Sequence, residues 1–119
     1  NALEKVIKIH GCKIIDYTVA PKFMKSGNKG KHEWIIEFSK EPKNFNHFIK
    51  DVDIEIQKIN TDYKAKRFKN LTLDIPKLHV ARKNLFYDWL KSNNKIGGQN
   101  KIPRLANDRN FFEELLKIN

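Results

Sequence analysis

The sequence is poor in cysteine, in long apolar runs and in clustered metal-binding side chains. A single cysteine, Cys12, excludes an intramolecular disulfide and favours a reducing compartment, so we expect a cytoplasmic protein. The apolar runs are at most three residues long, as at 34–36, whereas crossing a bilayer takes about 18 residues. We expect no signal peptide, because the first residues lack a charged region followed by a long apolar segment. The four histidines are widely spaced and lack an HxxxH or CxxC companion, so no metal site is predicted.

Recognised catalytic signatures are also missing. The chain has no Walker motif, no nucleophile elbow and no RNA-recognition aromatic motif. By itself it therefore does not resemble a complete enzyme.

What the sequence has in excess is positive charge. Its 24 Lys and Arg residues outnumber 14 Asp and Glu residues, giving a net charge of +10. A surface of this kind attracts nucleic acids, membrane phosphates and nucleotide triphosphates alike, so charge cannot choose among them. With 119 residues, eight Phe and two Trp, the chain is long enough for one domain with its own core, which we place at 1–119.

Hydrophobic periodicity predicts an α+β fold. Apolar residues at helical spacing indicate helices over 3–10, from Asn44 to 59, over 61–68, over 84–91 and from 107 or 108 onward. Alternation indicates strands over 13–20, 32–38 and 77–82, the first two forming an antiparallel hairpin. We expect a single two-layer domain with a three- to four-stranded mixed or antiparallel sheet and about four flanking helices.

The alternation also predicts which strand residues are buried. In the first strand, Ile15, Tyr17 and Val19 share the buried face. In the second strand, Glu33 and Glu37 lie on the polar face, about 13 Å apart at the usual rise. That separation is too large for a cooperating acid–base pair. Pairing with lysines of a neighbouring strand is the favoured role for both.

Three basic segments could bind anions, and each also has a plain structural explanation. The segment 95–104 has two adjacent glycines, Lys101 and Arg104, which suit close approach and oxygen binding. The segments 60–67 and 22–31 carry further lysines that could bind phosphate or RNA. Judged by residue types alone, solvated loops and a solvated helix face remain the simpler interpretation of all three.

Taken in order, His32–Phe38, Asn60–Arg67 and Gly97–Arg104 resemble the C-terminal domain of the auxin-responsive (Gretchen Hagen) acyl acid–amido synthetases, most closely the bacterial branch. The resemblance covers essentially the whole chain. The last segment corresponds to the family pattern Gln-aromatic-Lys-Thr-Pro-Arg, with Asn100 in place of the aromatic residue and Ile102 in place of the threonine.

The resemblance implies a part of an ATP-dependent ligase that is inactive when isolated. Members of the adenylate-forming superfamily use ATP and Mg²⁺ to convert a carboxylic acid to an acyl adenylate, and here an amino acid amine then forms the amide. ATP and Mg²⁺ would be bound mainly by an N-terminal adenylation domain of the same polypeptide. The C-terminal domain would close over that site as a lid.

The same resemblance implies roles for individual residues. Lys101 matches the lysine that the smaller domain supplies to the adenylation site, and is the catalytic candidate. Gly97, Gly98, Gln99 and Arg104 are the candidates for nucleotide binding. The competing interpretation is a basic nucleic-acid-binding or protein-interaction module, although sequence-specific nucleic acid binding and membrane binding are not expected.

Overall fold

The computed structural model describes residues 1–23, 30–93, 102–105 and 109–119. Within these ranges the α-helices are α1 (Ala2–His10), α2 (Phe45–Ile59), α3 (Thr61–Arg67), α4 (Leu85–Ser92) and α5 (Arg109–Ile118). The strands are β1 (Lys13–Lys22), β2 (Lys31–Lys40) and β3 (Lys77–Val80). A single 3₁₀ turn, Phe68–Asn70, follows α3.

Local sequence explains where the first helices begin and end. The side chain of Asn1 accepts the amide of Glu4, whose carboxylate reaches back to complete a capping box, and Gly11 ends α1 in the left-handed region at φ 61°. Asn44 and Asn60 cap α2 and α3 in the same manner as Asn1, each accepting an amide three residues later. The predicted starts of α2 and α3 are confirmed, whereas α1 begins one residue before the predicted position 3.

The sheet has the strand order β1-β2-β3. β1 and β2 pair antiparallel, as predicted, and β3 runs parallel to β2. The α+β class and the mixed sheet are therefore confirmed. Helices pack on both faces of the sheet, with α1 and α2 on one side and α4 and α5 on the other, which adds a third layer to the two expected.

A β-bulge changes the face assignment in β1. Ile14 pairs with Phe38 and Asp16 with Glu37, so Ile15 is an extra residue without a partner. Its side chain is 56% exposed, whereas Ile14 packs into the core. The prediction that Ile15 shares the buried face of Tyr17 and Val19 was therefore wrong.

Two apolar clusters hold the layers together. On the α1/α2 face, Trp34 and Ile36 meet Phe48 and Val52 of α2. On the α4/α5 face, Ile35 meets Leu85, Phe86, Phe112 and Leu115. β2 supplies both clusters because consecutive residues of a strand point to opposite faces. As the helical spacing predicts, α2, α4 and α5 each bury apolar residues along one face, except that Ile59 at the end of α2 is 69% exposed.

In the part of the chain that is described, no helix is long and apolar enough to cross a membrane. Within the same ranges, no three His, Cys, Asp or Glu side chains gather in a way that could hold a metal ion.

Candidate functional site

The predicted site divides between described and undescribed residues. Gly97, Gly98, Gln99 and Lys101 lie outside the described residues, so their roles stay predictions. Arg104 lies inside them, in a short segment that runs beside β1.

The segment 102–105 is fixed to the edge of the sheet. Ile102 is only 5% exposed and belongs to the apolar cluster of the α4/α5 face. The hydroxyl of Thr18 donates to the carbonyl oxygen of Pro103 at 2.6 Å, and the amide of Val19 donates to that of Arg104 at 2.9 Å. The chain that follows Lys101 in sequence is thus anchored on a strand, not carried on a free loop.

Arg104 lies on the surface next to β1. Its guanidinium pairs with the carboxylate of Asp16, donates to the carbonyl oxygen of Tyr17 at 3.2 Å and lies 4.4 Å from the centroid of the Tyr17 ring. The side chain is 56% exposed. The side chain of Asp16 is 23% exposed, so the pair is partly buried on the carboxylate side.

The basic segment 60–67 has a structural role at two of its residues. Arg67 holds both oxygens of Asp53, with Nε–Oδ1 and Nη2–Oδ2 each 2.8 Å, and the Tyr63 hydroxyl donates to Oδ1 at 2.6 Å. Burial would raise the pKa of Asp53, but the hydrogen bonds from Arg67 and Tyr63 lower it below its ordinary value. The guanidinium of Arg67 and the hydroxyl of Tyr63 therefore join α2 to α3 and are not available to a ligand.

A second buried carboxylate, Glu33, fastens the start of α5. Its Oε2 accepts a hydrogen bond from Nε2 of His79 at 2.8 Å, and Nη2 of Arg109 lies 2.8 Å from Oε1 in an ion-pair contact that is not aligned as a hydrogen bond. Burial would raise the pKa of Glu33, yet His79 and the positive charge of Arg109 lower it. The predicted pairing of Glu33 with lysine was wrong.

Glu37 fastens the start of α4 in a comparable way. Its Oε2 accepts the backbone amide of Asn84 at 2.9 Å, where Asn84 precedes the helix with φ 66°. Both Glu33 and Glu37 are only 2% exposed. Pairing with lysine was wrong here too, because the face taken as polar is covered by α4 and α5. The two helices held by these carboxylates flank segment 94–108 in sequence.

A cavity of about 420 Å³ opens at the other end of β1, between the β1–β2 hairpin and α3. We call it the basic cavity. Three lysines line it, Lys22, Lys31 and Lys66, together with Phe23, Gly30, His32, Asn60, Tyr63 and four other residues. It brings together segments 22–31 and 60–67, which the sequence presents as separate features.

Gly30 is required in the lining of this cavity, where its backbone lies against that of Lys22. A Cβ atom at this position would lie 2.9 Å from the carbonyl oxygen of Lys22, closer than real Cβ contacts allow. The amide of Gly30 donates to the carbonyl of Thr72, and its own carbonyl accepts the amide of Asp74.

The GH3 family C-terminal domain matches residues 1–110, which is most of this chain. This chain belongs to the GH3 family. The comparison with curated protein sequences gives no match.

Two solved GH3 structures share the fold. "GH3.15 acyl acid amido synthetase" is similar with a TM-score of 0.70 at 18% identity, over 98% of this chain and 21% of that chain. "AtGH3.15 acyl acid amido synthetase in complex with 2,4-DB" gives a TM-score of 0.71 at 14% identity, over 98% and 22%. At such identities the likeness shows the fold alone. The chain spans about a fifth of the length of the synthetases that it matches.

Proposed function

We propose that this chain is the C-terminal domain of an ATP-dependent acyl acid–amido synthetase, and that it closes over an active site on a preceding domain. The reaction would adenylate a carboxylic acid and then transfer the acyl group to the amine of an amino acid. Support comes from the family match over residues 1–110 and from the similarity to synthetases about five times as long. We further propose a cytoplasmic, bacterial protein, on the sequence arguments alone.

In this proposal Lys101 supplies an ammonium group to the adenylation step. When a carboxylate attacks the α-phosphate of ATP, negative charge builds up on the transferring group and on the bridging oxygen. A positive charge placed there stabilises the transition state more than the ground state, which accelerates the step. Closure of the domain would also keep water away from the hydrolysable acyl adenylate.

The single observation that carries this assignment is the anchoring of segment 102–105. A catalytic group works best when a rigid element holds its supporting backbone. Lys101 is covalently bonded to Ile102, whose side chain is buried in the core, and the next two residues are hydrogen-bonded to β1. The carboxylates of Glu33 and Glu37 secure the helices that flank the segment in sequence.

Nucleotide binding by this domain would be limited to a few contacts. Arg104 fits a phosphate because its side chain is 56% exposed and a guanidinium can bind two oxygens at once. Gly97, Gly98 and Gln99 would add backbone and amide contacts. Mg²⁺ and the rest of ATP would be bound by the preceding domain.

The test uses the full-length protein that includes the preceding domain. We expect Lys101→Ala to lower acid-dependent ATP–pyrophosphate exchange about 10²- to 10³-fold, the usual effect of removing one transition-state contact. Lys95→Ala, in the same segment, is the matched control and should stay within about threefold.

A second measurement separates the two half-reactions. Supplied with preformed acyl adenylate, the Lys101→Ala enzyme should form amide at nearly the wild-type rate, because the ammonium acts on phosphate chemistry only. Unchanged pyrophosphate exchange in the variant would rule out the assignment of Lys101.

A further inference from the structure

The basic cavity concentrates positive charge that the adenylation proposal does not use. Lys22 and Lys66 are exposed and Lys31 is half-buried, yet all three line one concave site of about 420 Å³. The only carboxylate among its lining residues is Asp62, which lies 3.1 Å from the ammonium of Lys66 and is itself largely exposed. A solvated pair of this type is weak, so the cavity attracts anions.

The walls of the same cavity are aromatic. The ring of His32 lies 5.6 Å from that of Tyr63, and Phe23 at the rim is 82% exposed. Burial and the charge of Lys66 lower the pKa of His32, so its imidazole is neutral near pH 7 and can both donate and accept hydrogen bonds. Among the described residues, no hydrogen bond to the His32 ring is found.

Lysines around an aromatic-walled pocket are the combination that binds unpaired nucleotides. Bases stack on aromatic rings whatever their sequence, while ammonium groups bind the phosphates. A volume of about 420 Å³ accommodates one base with its sugar. Exposed lysines continue past the rim, at Lys64 in α3 and Lys69 in the turn that follows, which favours a polymer over a free nucleotide.

We propose that the basic cavity seats one base of a single-stranded nucleic acid, stacked on Phe23, with the flanking phosphates held by Lys22, Lys31 and Lys66. Binding is independent of base sequence. The site does not depend on the adenylation proposal, since it contains neither Lys101 nor Arg104.

The test measures binding of the 119-residue chain to a fluorescently labelled ten-nucleotide oligouridylate by anisotropy, at several salt concentrations. We expect micromolar affinity at low salt that falls steeply as salt rises, with a slope of about −2 for three phosphate contacts. A variant with Lys22→Gln, Lys31→Gln and Lys66→Gln should bind at least about tenfold more weakly, with a slope reduced by about 2.

A matched triple variant removes the same charge elsewhere. Lys8→Gln, Lys50→Gln and Lys117→Gln change exposed lysines of α1, α2 and α5 and should weaken binding less than about threefold. Equal losses in the two triple variants would overturn the proposal, because net charge alone would then explain the binding.

Stacking is tested with a second matched pair. Phe23→Ala should weaken binding about tenfold, as expected for one lost base–aromatic stack. Phe68→Ala, which removes an aromatic side chain that is 62% exposed but does not line the cavity, should change it less than about twofold. Equal effects of the two variants, or saturable binding of AMP as tight as that of the oligonucleotide, would refute a single-strand site. Circular dichroism checks that every variant is folded.

Discussion

The two faces of β2 are built on different chemistry. On the α1/α2 face, Trp34 and Ile36 pack against Phe48 and other apolar residues. On the α4/α5 face, Ile35 lies between two buried carboxylates, those of Glu33 and Glu37. Of the two faces of β2, only the α4/α5 face carries buried carboxylates. On the α1/α2 side the buried carboxylate of Asp53 lies on α2 and is satisfied from α3.

This difference shows what each face does for the fold. Apolar burial on the α1/α2 face is non-directional and stabilises the domain as a whole. The carboxylates of the α4/α5 face act at defined atoms, since each holds the first residues of one helix, Arg109 for α5 and Asn84 for α4. Directional contacts of this kind set where each of the two helices begins.

The largest expected effect is on the apolar face. Phe48 is fully buried, so Phe48→Ala should lower the free energy of unfolding by about 3–5 kcal/mol through lost burial and the cavity left behind. Urea unfolding followed by tryptophan fluorescence measures it. Phe48→Leu, which keeps most of the volume, should cost far less. A loss below about 1 kcal/mol for the alanine variant would contradict the apolar account of this face.

A smaller effect is expected on the charged face. Glu33→Ala leaves His79 and the guanidinium of Arg109 without their buried acceptor, and should cost about 2–3 kcal/mol of unfolding free energy. The matched control is Glu113→Ala, which removes the exposed carboxylate that pairs with the same arginine, and should cost at most about 0.5 kcal/mol. Equal losses would mean that burial does not distinguish the two carboxylates.

Lowering the pH should isolate the contribution of Glu33. Because the folded pKa of Glu33 lies below its ordinary value, its contribution is fully present above the unfolded value of about 4.3 and is lost as the pH falls through the folded pKa. Wild type should therefore lose more stability between pH 7 and pH 3 than Glu33→Gln does. If the free energy of unfolding falls equally with pH in the two proteins, Glu33 does not contribute to the acid sensitivity.

The smallest effect concerns the bulge beside these faces. Ile15→Ala should change the free energy of unfolding by less than about 0.5 kcal/mol, because that side chain is mostly in solvent. Ile14→Ala should cost about 1–2 kcal/mol, since Ile14 packs into the cluster of the α1/α2 face. Urea midpoints compare the two variants. If Ile15→Ala loses more unfolding free energy than Ile14→Ala, the bulge is wrong and Ile15 lies on the buried face, as the sequence alternation predicts.

Much of the fold could be predicted because its signals are local. The helix caps at Asn44 and Asn60 act within three residues, and the apolar stripe of α2 repeats every turn. The burial of Asp53 has no such local signal. Its side chain is 4% exposed because Arg67 and Tyr63 satisfy it from α3.

The candidate site was predictable only in part. The family resemblance pointed to segment 95–104 and hence to Lys101, whose role no contact of the described residues tests. The anchoring of residues 102–105 could not be predicted, since Pro103 accepts its hydrogen bond from Thr18 across 85 positions of sequence. The basic cavity was also missed as a single site, although both of its lysine-bearing segments had been noted.

The sequence by itself determined the order of helices and strands, the hairpin, the cap at Asn44 and the resemblance to the GH3 family, because periodicity and motifs are properties of neighbouring residues. Tertiary structure alone decided that Glu33 and Glu37 are buried anchors, and that two basic segments line one cavity. The residues next to Glu33 in sequence do not reveal whether its carboxylate contacts water or binds His79, which is 46 positions away. Only the packing of helices on both faces of the sheet removes the water and supplies the partner.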